Sequence, residues 1–160
     1  MFLASSDDIA LLELAQSVTD VSPVALYEGD DELGRTVLGK GATSTGATGY
    51  GNHAPHRTEL RRAFNVISSA DGRWFCYVFD DAASALPLEG MTGNGDSGGA
   101  ALIQVEDQWR LAGLPSWTAA QGDARTMRLG LYGQTSCNTR ISHYADWLQS
   151  TMAARPRPGG

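Results

Sequence analysis

The chain has 160 residues, 42% of them hydrophobic and 19% charged. That is the composition of an ordinary globular protein, long enough to bury roughly 70% of its unfolded surface. A formal net charge of −6 argues against a nucleic-acid partner, since such binding draws on basic surface, and no apolar run approaches the length of a membrane span. The opening Met1-Phe2-Leu3-Ala4 is far too short for a signal peptide. In chain order, Asp8 stands directly ahead of the mostly apolar Ile9-Ala10-Leu11-Leu12-Glu13-Leu14, which reads as a strand. Gly39 to Gly51, rich in Gly, Thr and Ser, reads as a flexible surface loop. His53-x-x-His56 has no cysteine pair nearby and falls short of the three or four ligands of a tetrahedral site, so neither metal nor cofactor is expected. Arg57, Arg61 and Arg62 read as a solvated strand edge.

Two β-rich runs, Phe64 to Ser68 and Trp74 to Phe79, flank Ala70-Asp71-Gly72, a hairpin signal. Leu86 to Asn94 reads as loop, Ala100 to Val105 as strand, Glu106-Asp107-Gln108 as turn and Trp109 to Leu114 as the returning strand. Ser142 is a candidate N-cap for a helix in which Tyr144, Trp147, Leu148 and Met152 recur at helical spacing, a core-packing stripe. Arg155 to Gly160 cannot continue that helix and reads as a disordered tail. Two cysteines, Cys76 and Cys137, allow one bridge at most; the expectation is two free, buried thiols behaving as small hydrophobes.

The run Gly95-Asp96-Ser97-Gly98-Gly99 carries the chemistry. It sets a serine hydroxyl among glycines whose missing side chains leave backbone N–H groups open to a substrate. A nucleophilic serine needs a base to take its proton and donors to hold the charge that develops on the substrate oxygen. The N–H groups of Gly95 and Ser97 are candidates for those donors. The same five residues also fit the Gly-x-Ser-x-Gly elbow of the α/β-hydrolases, with Asp123 and His143 downstream in that fold's chain order. An elbow needs a buried strand before the serine and a helix after it, whereas here a loop precedes and a β-hairpin follows. The flanks therefore decide against the elbow.

In this setting the chain resembles the trypsin/chymotrypsin family. The resemblance rests on Gly95 to Gly99, on Gly113-Leu114-Pro115-Ser116-Trp117, on Val37 to Gly41, and on Gly130-Leu131-Tyr132 followed by Arg140-Ile141-Ser142-x-Tyr144-x-x-Trp147-Leu148 as last strand and terminal helix. It departs at Ala100, where the family has proline, and at Lys40, where it has tryptophan. The resemblance implies an all-β chain: an antiparallel six-stranded barrel, the second of a two-barrel fold, with a C-terminal helix. Residues 1–14 would be the last strand of an otherwise missing first barrel, 15–32 the connection, 33–153 the second barrel with its helix, and 154–160 the tail. It also implies Ser97 as nucleophile, Asp8 as the triad aspartate, and Gly95 and Ser97 as the oxyanion hole. Asp8 and Ser97 should lie on one side with room for an imidazole between them.

The family's order of His, Asp, Ser places the histidine well before Asp8, yet His53, His56 and His143 all follow it. The expectation is thus a serine endopeptidase represented by a portion that lacks its base and is inactive alone, with the first barrel supplied upstream or by another chain. A non-catalytic homologue that binds peptides or other proteins is the alternative. Neither cysteine aligns with the family's habitual bridges. Asp96 corresponds to the carboxylate that pairs with a new amino terminus after activation; no such amine is identifiable, so either another group satisfies it or the oxyanion loop is imperfectly ordered. Met91 falls at the floor of the primary pocket, where trypsin has an aspartate, so a preference for Lys or Arg is not expected. Ser116, Trp117, Thr118 and Gly130 would form the walls, best suited to small or medium apolar side chains. The compartment is left open by the sequence, secreted or periplasmic if a longer form carries a signal peptide.

Overall fold

The computed structural model describes residues 2–3, 7–41, 45–50, 61–119 and 128–154. An arm leads in with β1 (Phe2–Leu3), β2 (Ala10–Leu11) and β3 (Ala25–Leu26). Strands β4 (Thr36–Gly41), β5 (Arg61–Val66), β6 (Ser69–Asp71), β7 (Trp74–Val78), β8 (Ala101–Val105), β9 (Gln108–Ala119) and β10 (Thr135–Arg140) follow. A 3-10 turn at Ser142–Tyr144 and helix α1 (Ala145–Ala153) close the chain.

Pairing is antiparallel in the order β5-β4-β8-β9-β10-β7-β6. The two end strands are halves of one bent strand. Ile67 still donates to Arg35 O beside β4, whereas Ser68 already donates to Cys76 O on β7, so the chain changes partners between those residues. Joining β5 to β6 closes a six-membered ring of strands, and Asn65 Nδ2 spans it to Val78 O at 2.8 Å. Alternation along β7 explains what fills the ring: Phe75 and Tyr77 are buried while Trp74, Cys76 and Val78 are half-buried. They pack with Tyr27, Val37, Ile67, Ala101, Ile103 and Ala112. The glycine at 113 is required there, because a Cβ would stand 2.4 Å from the Phe75 ring. A second cluster of Ile9, Ile141, Tyr144 and Leu148 ties the arm to α1.

The Ala70-Asp71-Gly72 hairpin forms as expected, with Asp71 opposite Trp74 and Gly72 at a φ of 50° that favours glycine. Three expectations are corrected. Cys76 and Cys137 are disulfide-bonded, not free. They are direct partners across β7 and β10, 4.2 Å apart at Cα, close to the spacing of the nearer antiparallel pairs. The last strand is Thr135–Arg140, not the Gly130-Leu131-Tyr132 segment. Gly130 and Gly133, with φ of 78° and 81°, turn that segment away from an extended course, and Gln134 secures it through Arg128 O and Leu131 N. Ser142 caps no helix: its hydroxyl donates to Glu32 Oε1 at 2.5 Å. His53, His56, Arg57, Asp123 and the 155–160 tail lie outside the described residues, as do 42–44 and 51 of the Gly39 to Gly51 loop.

Candidate active site

The loop between Thr92 and Gly99 is held by its own backbone and one carboxylate. Asp96 Oδ2 accepts from Gly93 N–H at 2.7 Å, Asp96 N–H donates to Gly93 O, and Gly99 N–H donates to Asp96 O. Asp96 is therefore satisfied by the loop it belongs to. Gly95 and Gly98 take φ of 94° and 74°, values that side chains rarely tolerate. These turns leave Ser97 exposed, and among the described residues neither its N–H nor that of Gly95 has a hydrogen-bond partner. Such unspent donors beside a hydroxyl are what an oxyanion site requires.

Strand β9 links this loop to the arm. Pro115 O accepts from Gly98 N–H at 3.0 Å, and the next residue, Ser116, donates its hydroxyl to Asp8 Oδ2. Asp8 is further fixed through its carbonyl, which accepts from Thr139 Oγ1 at 3.0 Å, while Asp7 pairs with Arg73 at 2.5 Å. Asp8 and the Ser97 loop thus flank the same two residues of β9. Ser97 and Ser116 also share a cleft of about 150 Å³. Its other walls are Tyr50, Thr92, Gly93, Asn94, Trp117 and Thr118, with Pro115 and Leu129. Trp117, 45% exposed, meets Trp74 edge-on at 6.0 Å between ring centroids.

Of the residues expected to contact substrate, Ser116, Trp117 and Thr118 line the cleft; Met91 and Gly130 do not. The Met91 side chain packs against the barrel core, and Thr92 takes its place on the wall. Gly130 sits behind Tyr50, whose ring would lie 2.8 Å from any Cβ at 130. Sequence reading missed Tyr50 and Thr92, and also Ser136, whose hydroxyl lies 2.6 Å from that of Thr92. Tyr50 is brought in by a bridge to Leu129, a pairing between segments far apart in the chain that no local pattern announces. His143 is exposed at the 3-10 turn, stacked edge-on against Tyr144, and does not line the cleft. No group of three potential metal ligands occurs among the described residues.

The barrel loop thus carries a serine hydroxyl beside two N–H groups that have no partner among the described residues, with a carboxylate anchored one strand away. The family model for trypsin matches residues 3–148, and the chain belongs to the trypsin family of serine proteases. It is 30% identical to the vitamin K-dependent protein C of Oryctolagus cuniculus over 162 aligned positions, covering 91% of this chain and 33% of that protein. A tryptase of Mus musculus is 43% identical over 54 residues, 34% of this chain and 17% of that protein. The chain spans about a third of the first relative's length and less of the second's.

Proposed function

We propose that this chain carries the nucleophile half of a serine endopeptidase site: Ser97 attacks a peptide carbonyl, the Gly95 and Ser97 N–H groups hold the oxyanion, and Asp8 orients an imidazole that this chain does not itself supply. The observation that carries the reading is the Asp8–Ser116–Ser97 arrangement. The Asp8 carboxylate reaches β9 at Ser116, one of the residues that line the serine's cleft. It keeps Oδ1 without a partner among the described residues, available to an imidazole N–H. In the triad mechanism the histidine takes the serine proton and later returns it to the leaving amine, and the aspartate holds the ring in the right tautomer. Without that ring Ser97 keeps its proton, and the oxyanion donors alone supply only a residual acceleration of roughly 10³–10⁴ over water.

Leu12, Leu14, Val18 and Val21, all more than half exposed, support the placement of a further barrel against the arm. A longer chain that includes an upstream barrel with its histidine is expected to hydrolyse peptide substrates, and Ser97→Ala to abolish this. Asp8→Asn in that longer chain is expected to lower kcat by about 10⁴. Full activity of the Asp8→Asn protein would refute the role given to Asp8.

A further inference from the structure

We propose that the cleft beside Ser97 selects an uncharged polar side chain, one bearing a hydroxyl or a carboxamide, on the acyl side of the bond presented to Ser97, and that Thr92, oriented by Ser136, reads it. The inference rests on the peptide-cleft reading above and replaces the apolar preference that the sequence alone suggests. Six lining residues carry a hydroxyl or carboxamide: Tyr50, Thr92, Asn94, Ser97, Ser116 and Thr118. Among the described lining residues none is charged at neutral pH. Burial holds the Tyr50 phenol above its usual range, with the nearby Asp96 charge adding to the effect.

The polar character continues into the barrel behind the cleft wall. Thr92 is half-buried, and its hydroxyl is 2.6 Å from that of Ser136, which has no exposed surface. The two hydroxyls offer two donors, and their mutual bond consumes one. Next in line the buried Tyr77 hydroxyl faces Asn138, Ser136 and Thr92, with burial pushing its pKa up. The fully buried Asn138 amide beside it completes no hydrogen bond through either Nδ2 or Oδ1. Behind the cleft wall, then, stand hydroxyls and an amide where a barrel interior is ordinarily apolar, and Thr92 is the member of that run that reaches the cleft.

Three classes of side chain fare differently against such a wall. An apolar one removes water from Thr92, Asn94 and Thr118 and returns no hydrogen bond. A charged one loses its own hydration without a charged lining residue to meet it; the Asp96 carboxylate is turned onto Gly93 N–H. An uncharged polar one replaces the lost water, and about 150 Å³ is comparable to a protein cavity that takes up benzene, so a carboxamide fits. Sites built to bond a hydroxyl discriminate against analogues lacking it far better than apolar pockets reject an added hydroxyl.

Binding tests this without requiring catalysis. The 160-residue chain is titrated with N-acetylated tripeptide acids that differ only at the C-terminal residue, Thr against its isostere Val and Asn against Leu, with Lys as the charged case. Amide shifts of Gly95 and Ser97 report occupancy of the cleft. Thr is expected to bind about five- to tenfold tighter than Val, Asn tighter than Leu, and Lys weakest. Thr92→Val should erase the Thr-over-Val difference while retaining affinity for the Val peptide, and Ser136→Ala should reduce it. If Ser136→Ala fails to fold, Thr92→Val alone decides. Equal or tighter binding of Val and Leu overturns the polar selection but leaves the cleft reading standing, and an unchanged preference in Thr92→Val overturns the assignment to Thr92. No shift at Gly95 or Ser97 with any peptide overturns both.

Discussion

The barrel and the arm that precedes it solve the same problem, the disposal of apolar surface, with different success. Inside the ring of β4 to β10, Phe75, Ile67, Ile103 and Ala112 are essentially without exposure, and a disulfide crosses between adjacent strands. The arm is held to the barrel around Asp7 to Leu11 and again from Ala25 to Glu32, where Ala25 and Leu26 pair with β9 and Tyr27 enters the core. Asp7 and Asp8 hold one end to Arg73, Ser116 and Thr139, and Glu32 holds the other to Arg140 and Ser142. Between them Leu12, Leu14, Val18, Val21 and Val24 stand 47–70% exposed. The fastening at Asp8 is where structure and proposed chemistry meet, because it sets the carboxylate against the cleft.

The contrast can be broken most severely at the second fastening. Glu32 has no exposed surface, and its carboxylate receives both Arg140 Nε and Nη2. Arg140→Ala leaves that charge buried and uncompensated, which costs about 3–5 kcal/mol; urea unfolding measures it. The disulfide comes next. It closes a span of 61 residues, and its removal by Cys76→Ser with Cys137→Ser is expected to cost about 2–4 kcal/mol. A smaller effect appears on acidification. Burial pushes the Glu32 carboxyl up, but hydrogen bonds from Arg140 and Ser142 outweigh it, so its pKa lies below the ordinary value. The folded-state pKa is the lower one, so this contribution is complete above the ordinary glutamate pKa and is lost as pH falls through the folded value. Arg140→Gln should flatten that acid limb of the stability profile.

How legible these regions were follows from how local their determinants are. The 70–72 hairpin, the β8–β9 hairpin and the Ser97 loop are written in turn residues, and each was readable. Strand β10 was not, because Thr-Ser-Cys-Asn-Thr-Arg shows no apolar alternation although four of its six residues are buried. Its hydroxyls and amide face a polar interior that no period-2 pattern reveals. The same strand hid both the disulfide, which depends on cross-strand register, and Ser136. Asp8 and Ser97 could be singled out one at a time from their segments, whereas Tyr50 and Thr92 join the cleft through contacts made only on folding.

The smallest effect sharpens the comparison from the arm. Leu12→Ser and Val21→Ser remove apolar groups already in water, so each should shift the stability of this chain by no more than about 0.5 kcal/mol. In a longer chain whose first barrel covers them, the same changes should cost severalfold more. Equal small effects in both chains would remove the grounds for placing a barrel there.

The central claim, a nucleophile and oxyanion site without its base, is tested most directly by fluorophosphonate labelling of the purified 160-residue chain. Negligible labelling is predicted, together with rapid labelling at Ser97 in a chain extended through the upstream histidine. Rapid labelling of the 160-residue chain, abolished by Ser97→Ala and by substitution of His53, His56 or His143, would show that a base lies within it and contradict the account.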